Sequence, residues 1–379
     1  MAAVSTRELL AAPVVTRVVR TLPNAMHRFT DFFNLGPDSA NVEDRSGHDC
    51  SWDVFENTRQ LANFRAPGVG PGTRAPQSIG HVFARIPRLH EKLILLDEQI
   101  FRLRRLGSGP DQVDRSGQQY VLNQQRIISQ RFKNAREFMI SRVLRGGFAV
   151  LASGEEWVPV DLAGGTFDVD YQVPAGNKGQ LDLTGAGARI AATWATLSTP
   201  IGTQLANINA DFGNLHGRPL AHIWLNSFTF YTYVMNNTSL QAQSGTSQEI
   251  FLPGSYERSN YTGPEGQKDT GFTVRLRAVP WVTWHIYDAM LEVNGTLTKV
   301  IPDDYASFLP EPASDWIGGI NGSEIVRENR MAHGDERFGM QAWTEATTQP
   351  SGFELLAVDN FIPALYVPKC VAYAKVANF

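Results

Sequence analysis

The last quarter of the chain constrains the fold most. Gly352-Phe-Glu-Leu-Leu-Ala-Val-Asp-Asn-Phe-Ile-Pro-Ala-Leu-Tyr-Val-Pro368 leads into Cys370-Val-Ala-Tyr-Ala-Lys-Val376. It reads as a long strand, a Pro-punctuated crossing and a final strand that stops almost at the terminus. A terminus rich in Val, Ala and Tyr frays unless another element ties it down. The C-terminus is therefore expected to return and complete a sheet begun much earlier. That sheet is expected to be the one that follows a long helix near the middle of the chain.

Length and composition permit such a return. The chain has 379 residues, enough for two compact domains. Hydrophobic residues make up 42% and charged ones 19%, which suits a folded protein and argues against general disorder. A net charge of -4 does not make the whole chain a nucleic-acid binder. No apolar run approaches the ~20 residues that span a bilayer, and the start lacks the order of a signal peptide. Cys50 and Cys370 are too few and too far apart for a zinc site or a disulfide framework. They are expected to be free thiols in a reducing compartment.

Residues 1–46 carry no long periodic pattern; Phe29, Phe32 and Phe33 cluster around Asp31, as in an arm that must dock on something larger. Residues 47–91 look extended, and their middle, Ala66-Pro-Gly-Val-Gly-Pro-Gly-Thr-Arg-Ala-Pro76, holds three prolines and three glycines. Proline removes backbone donors and glycine frees the dihedrals, so this stretch is not regular structure. It is either a surface loop or the tip of a two-stranded ribbon. An isolated ribbon is marginal in water and would need a neighbouring subunit to hold it.

Residues 90–106 fit a helix with Leu89, Leu93, Leu96, Ile100 and Leu103 on one stripe, stopped by Gly107-Ser-Gly-Pro110. Residues 117–145 fit a longer helix with Val121, Ile128, Phe132, Ala135, Met139 and Val143 on one face, ended by Gly146-Gly147. Arg126, Arg131, Lys133, Arg136, Arg142 and Arg145 line the rest, against one acid, Glu137. Strand signals follow at residues 148–152, 157–160 and 167–173, the last in strict alternation.

Residues 185–345 read as a second unit. A helix is expected over 193–210 with Ile201, Leu205 and Ile208 inward, then a strand over 219–225 and an aromatic helix over 227–235. A polar loop follows over 240–270, then alternating strands at Phe272, Val274 and Leu276 and at Val282, Trp284 and Ile286. Asn294-Gly295 is a hairpin signal.

This order, arm, Pro/Gly-tipped ribbon, long helix, strands, separate α/β unit and returning strand, resembles the major capsid proteins of tailed phages, specifically the lambda-type protein E family with the Hong Kong 97 fold. Four stretches carry the resemblance. They are Gln60-Leu-Ala-Asn-Phe-Arg-Ala-Pro67 through Lys92, His216-Gly-Arg-Pro-Leu-Ala-His-Ile-Trp-Leu-Asn226, Gly295 through Phe308-Leu-Pro310, and Glu354 through Val376. The resemblance implies an α+β fold with an N-arm (1–46), an E-loop (47–91), a P-domain (92–184) with a spine helix over 117–145, an A-domain (185–345) and a C-terminal return to the P-domain (346–379). It implies a structural virion protein that builds the icosahedral head from hexamers and pentamers, with no enzymatic role and no cofactor or metal. The implied contact with a neighbouring subunit is the E-loop tip, Ala66, Pro67, Gly68, Val69, Gly70, Pro71, Gly72, Thr73 and Arg74. The basic helix face is left with three readings: a partner for acids on a neighbour, a non-specific DNA contact, or a solvated face. Implied partners are other copies of the chain, a portal, a separate scaffolding protein, a decoration protein and packaged double-stranded DNA, with no membrane. The implied location is the virion, after assembly in the host bacterial cytoplasm. Residues 50–91 hold no lysine, so the lysine-asparagine cross-link of some relatives is not expected.

Other readings are weaker. Gly185-Ala-Gly187 lacks the third glycine of a dinucleotide fingerprint. Asp303-Asp304 between Pro302 and Tyr305 reads as a turn, and His285 between Trp284 and Ile286 as a half-buried strand residue rather than a base. No Gly-x-Ser-x-Gly elbow occurs. A phage tail or adaptor protein and a carbohydrate-binding module remain alternatives, the module predicting a chain that is almost all β.

Overall fold

The computed structural model describes residues 27–55, 80–96, 115–153, 156–160, 167–244, 250–258, 271–293, 296–326, 334–348 and 351–378. Three helices matter for the argument: α1 (Arg28–Phe32), α2 (Arg115–Val143) and α3 (Ile201–His216). The strands are β1 (Val42–Arg45), β2 (Asp49–Val54), β3 (Gly80–Arg85), β4 (Arg88–Leu96), β5 (Gly147–Ser153), β6 (Glu156–Val160), β7 (Phe167–Asp170), β8 (Lys178–Gly179), β9 (His222–Leu225), β10 (Glu257–Arg258), β11 (Phe272–Leu276), β12 (Val279–Ile286), β13 (Met290–Val293), β14 (Thr296–Lys299), β15 (Tyr305–Leu309), β16 (Ile317–Val326), β17 (Asp335–Phe338), β18 (Gln341–Thr348), β19 (Ser351–Leu365) and β20 (Ala372–Lys375).

Two sheets dominate. The first runs β1-β16-β19-β18, with β4 also on β19 and β17 on β16. Its axis is β19, long enough at 15 residues to pair β4 and β18 with its first part and β16 with its second. Helix α2 lies on this sheet. Val121, Ile128 and Phe132 meet Leu95, Met340, Ala342, Leu355 and Ala357 in one apolar cluster, and each of these side chains larger than alanine, once buried, stabilises by roughly 1.5–3 kcal/mol. Gly146, with φ +100, follows the helix in a conformation that favours glycine. In β16, Gly319 sits where a Cβ would lie 2.6 Å from the Phe361 ring, so the strand carries no side chain at that close approach.

The second sheet runs β10-β11-β12-β9-β15-β20-β8. Against it packs α3, through Ile201, Leu205, Ile208 and Phe212, which share a core with Ile223, Leu225, Val282, Trp284 and Phe308. The helix begins at Ile201 rather than at residue 193, about two turns later than its sequence suggests, because Pro200 stands at its N-cap, and it ends at Gly217 in the left-handed region (φ 82). Smaller pieces complete the fold: the β2–β3 ribbon, the β13–β14 hairpin flanking Asn294-Gly295, and a three-stranded sheet β6-β5-β7.

Three expectations fail. Residues 90–96 are strand, not helix: β4 pairs nine residues with β19, Arg88–Leu96 against Gly352–Asn360. The leucine spacing misled because Leu89 and Leu93 are four apart, a multiple of both the strand and the near-helical period. Burial alternates along β4, with Leu95 inside and His90, Lys92 and Ile94 outside. The rest of that expected helix, residues 97–106, lies outside the described residues. The second failure concerns the C-terminus. It does return, but β20 pairs β15 and β8 in the second sheet and not the β5–β7 strands after α2. The long strand before it, β19, is what serves the α2 side. Likewise, β16 to β18 pair within the first sheet, although residues 317–345 read as part of the second unit.

Candidate assembly surfaces

Within residues 47–91 an antiparallel pair forms, β2 with β3, from Asp49↔Arg85 to Val54↔Gly80. Alternation sends Cys50, Trp52, Val54 and Val82 inward and leaves Phe83 79% exposed on the outer face, beside a His81–Asp53 contact of 2.7 Å. The base of the ribbon is held by its own chain. The Trp52 Nε1–H donates to the Leu365 carbonyl (3.1 Å), its ring stacks on Tyr171 at 5.7 Å, and the Phe55 N–H donates to the Tyr366 carbonyl (2.8 Å). A neighbouring subunit is thus not needed to hold the base. The tip residues Ala66 to Arg74 lie outside the described residues.

The six bases of residues 126–145 do not form one face. Arg136 is fully buried; its Nε and Nη2 each lie 2.6 Å from a carboxylate oxygen of Asp359, and Phe361 covers the guanidinium at 4.2 Å. Arg142 is buried over the Phe138 ring, and Lys133 is buried near Asp31, with burial lowering its ammonium to about 8. Arg145 donates to the Val300 carbonyl at 2.7 Å. Only Arg126 and Arg131 are exposed, and Arg131 pairs with Glu91 of β4 at 3.1 Å. The expectation of a six-residue outward basic face is therefore corrected. Four of the six are taken up inside the molecule, Arg136 by Asp359 of β19, Lys133 near Asp31 of α1, Arg142 by the Phe138 ring and Arg145 by the Val300 carbonyl, which helix periodicity does not report.

The second sheet presents an aromatic patch. Residues 227–234 form a helical turn that widens into a π-helix at Phe230–Val234. Tyr231 and Tyr256, each 51% exposed, lie 6.1 and 5.3 Å from Phe272, with exposed Phe228 6.0 Å from Tyr233. Asp303 and Asp304 are in a turn, as expected, with Asp304 at φ 66. Asp304 accepts from Tyr233 and Asn378 at 2.9 Å each, and its carbonyl accepts from the Val376 N–H at 2.7 Å, which clasps the C-terminus. His285 is buried rather than half-buried; it stacks on Trp224 at 4.2 Å. Among the described residues no group of three or more His, Cys, Asp or Glu is placed to hold a metal. Both cysteines are buried, and burial pushes the thiols up to about 11 at Cys50 and about 12 at Cys370.

A family model for phage major capsid protein E matches residues 12–376. The chain belongs to that family. This phage major capsid protein is the subunit of a tailed-phage head. Its fold agrees. A crystal structure described as a capsid protein of an E. coli CFT073 prophage superposes with a TM-score of 0.55 at 12% identity, over 100% of both chains. A phage-related protein from Bordetella bronchiseptica RB50 gives 0.48 at 10% identity over 97% of this chain and 98% of that one. The mature capsid of bacteriophage PhiM1 gives 0.41 at 11% identity over 94% and 89%. No curated protein matches the chain. The mixed α/β architecture, with a 29-residue helix, also removes the carbohydrate-binding module.

Sequence reading missed the buried partner of Arg136 and the exposed aromatic side chains. Asp359-Asn360 interrupts an otherwise apolar strand, a visible sign of a buried partner, since an acid is almost never fully buried unpaired. Phe228, Tyr231 and Tyr256 gave no such sign, because their exposure depends on how residues 227–234 and 250–258 pack.

Proposed function

We propose that this capsid protein assembles into hexamers and pentamers that close an icosahedral shell, by way of three surfaces. The β2–β3 ribbon is the E-loop. Its tip, residues 66–76, lies on a neighbouring subunit, and exposed Phe83 continues that contact along the ribbon's outer face. The second sheet with α3 is the A-domain, and the patch of Phe228, Tyr231 and Tyr256 meets its counterpart side within a ring. Helix α2 with the first sheet is the P-domain and makes contacts between rings. The single observation that carries this reading is the ribbon. It is anchored at its base by Trp52 and Phe55, yet carries a large apolar side chain outward. Tyr231 and Tyr256, exposed beside Phe272, add a contiguous apolar surface of the kind that marks interaction sites, and heterologous contacts that close on themselves generate rings. Many such contacts, each weak, sum to a stable shell.

Partners follow in the same reading: a portal, a scaffolding protein, a decoration protein on the outside, and packaged double-stranded DNA touched non-specifically. Only Arg126 and Arg131 are offered for the DNA contact. Assembly takes place in the host bacterial cytoplasm. No lysine-asparagine cross-link forms, because residues 50–91 hold no lysine.

Electron microscopy of the protein expressed alone and with its genomic neighbours tests the reading. Closed shells, or rings of six and five, are expected. A dispersed monomer or dimer under both conditions would sink the ring model and favour a tail or adaptor role in the virion.

A further inference from the structure

Helix α1 is held between titratable groups on two sides, and it touches both halves of the molecule. On the α2 side, Glu137 is wholly buried. Its Oε1 accepts from the Phe29 N–H (2.8 Å) and the Tyr287 hydroxyl (2.8 Å); its Oε2 accepts from the Thr30 N–H (2.9 Å) and the Thr30 hydroxyl (2.7 Å). All four partners are neutral. Just before α1, buried His27 bonds Asn134 of α2 through Nε2 (2.8 Å). On the other side, the Phe32 ring stands edge-on to His222 (4.9 Å) and His285 (5.3 Å) of the second sheet. Those two imidazoles share one hydrogen bond, His222 Nδ1 to His285 Nε2 at 2.9 Å, so a proton on both would set two cations against each other.

We propose that the seat of α1 is a proton-operated latch: mild acid releases residues 27–33 through His27, His222 and His285 while the rest of the chain stays folded, and Glu137 opposes that release. Each group prefers its neutral form while α1 is docked, since burial penalises charge. Burial lowers His27 to about 4, against a small counter-effect of the Asn134 bond; it lowers His222, which Glu311 partly restores, and lowers His285 well below the ordinary range. Burial raises Glu137 to about 7.

The remaining charged neighbours are Arg28 and Arg275, which both disfavour a proton on the histidine pair, and Asp31 and Lys133 beside His27. Burial raises Asp31, so it sides with Glu137, whereas Lys133 titrates above the range of interest. Released histidines titrate near 6.5, so their contribution to docking is complete above that pH and is lost as pH falls below it. Released Glu137 titrates near 4.5, so its docking contribution is greatest in acid and declines as pH rises to about 7. The bonded pair takes up one proton between its two rings, so His27 and the pair losing against Glu137, with Asp31 acting lower in the range, leave acid as the releasing direction.

Amide hydrogen exchange of the full-length chain, read at peptides covering residues 27–33 and corrected for intrinsic rate, tests this between pH 7.5 and 5. Protection of this segment should fall on acidification, by up to about tenfold per pH unit for a net one proton. Peptides within β19 should keep their protection. In Glu137→Gln the fall should steepen by about tenfold per pH unit, and in His27→Gln it should become shallower by as much. Flat protection in the wild type would overturn the latch, and so would loss in residues 27–33 and β19 at the same pH. The wild-type profile decides alone if a variant does not fold.

Discussion

Replacing Arg136 by Met should be among the most damaging single changes in this protein. Both members of the Arg136–Asp359 pair are 0% exposed, and two N–H···O contacts of 2.6 Å join them. Arg136 also reaches the Leu35 carbonyl and Asn321 Oδ1 at 3.4 Å each, so it ties α2 to β19, to β16 and to the segment after α1. Methionine matches much of the side chain's length and its apolar contact with Phe361, so lost packing is small. What remains is the Asp359 carboxylate, buried with its counter-ion gone. Breaking a buried pair in this way costs about 3–5 kcal/mol, whereas replacing both partners by apolar groups is often close to neutral. The double variant Arg136→Met/Asp359→Leu should therefore recover most of what Arg136→Met loses. Urea unfolding followed by tryptophan fluorescence provides the assay, because Trp224 and Trp316 lie in the core shared by the two sheets. Midpoint shifts of the two single variants and the double variant form a double-mutant cycle. A loss under about 1 kcal/mol for Arg136→Met, or additive losses in the double variant, would refute the argument.

Trp52→Phe removes one hydrogen bond to the Leu365 carbonyl and should cost about 1 kcal/mol, whereas Trp52→Ala should cost about 3–5 and open the ribbon to limited proteolysis. Gly319→Ala brings a methyl into the Phe361 ring and should destabilise by about 1–3 kcal/mol; Phe361→Leu in the same chain should relieve part of it, as thermal melts of the two variants would show. Phe83→Ser should leave the subunit's stability within about 0.5 kcal/mol, since the side chain is exposed, yet lower the yield of shells seen by electron microscopy. Cys50 and Cys370, with thiols near 11 and 12, should resist a thiol reagent at pH 8 in the native protein and react promptly in denaturant.

The sequence by itself determined the pieces that repeat with a local period. Helix α2 follows from its apolar stripe and the Gly146 stop, and the strands from Phe272 to Ile286 follow from alternation. The turn at Asp303-Asp304 was legible for the same reason, as was the extended character of β2 and β3, which the sequence left open between loop and ribbon. Each is fixed by backbone preference and by which side chains must leave water, and both act over a few residues.

Tertiary structure alone decided who pairs with whom. Residues 90–96 carry a leucine spacing that serves helix or strand, and β19 selected the strand by offering nine ladder partners more than 250 residues away in sequence. Arg136 and Arg142 read as surplus charge on a helix; Asp359 and Phe138 made them interior groups. The last strand reached the second sheet rather than the first because β15 and β8 present the complementary edges there. Such choices rest on contacts between segments distant in sequence, where hydrogen bonds and burial are settled only once both partners are in place.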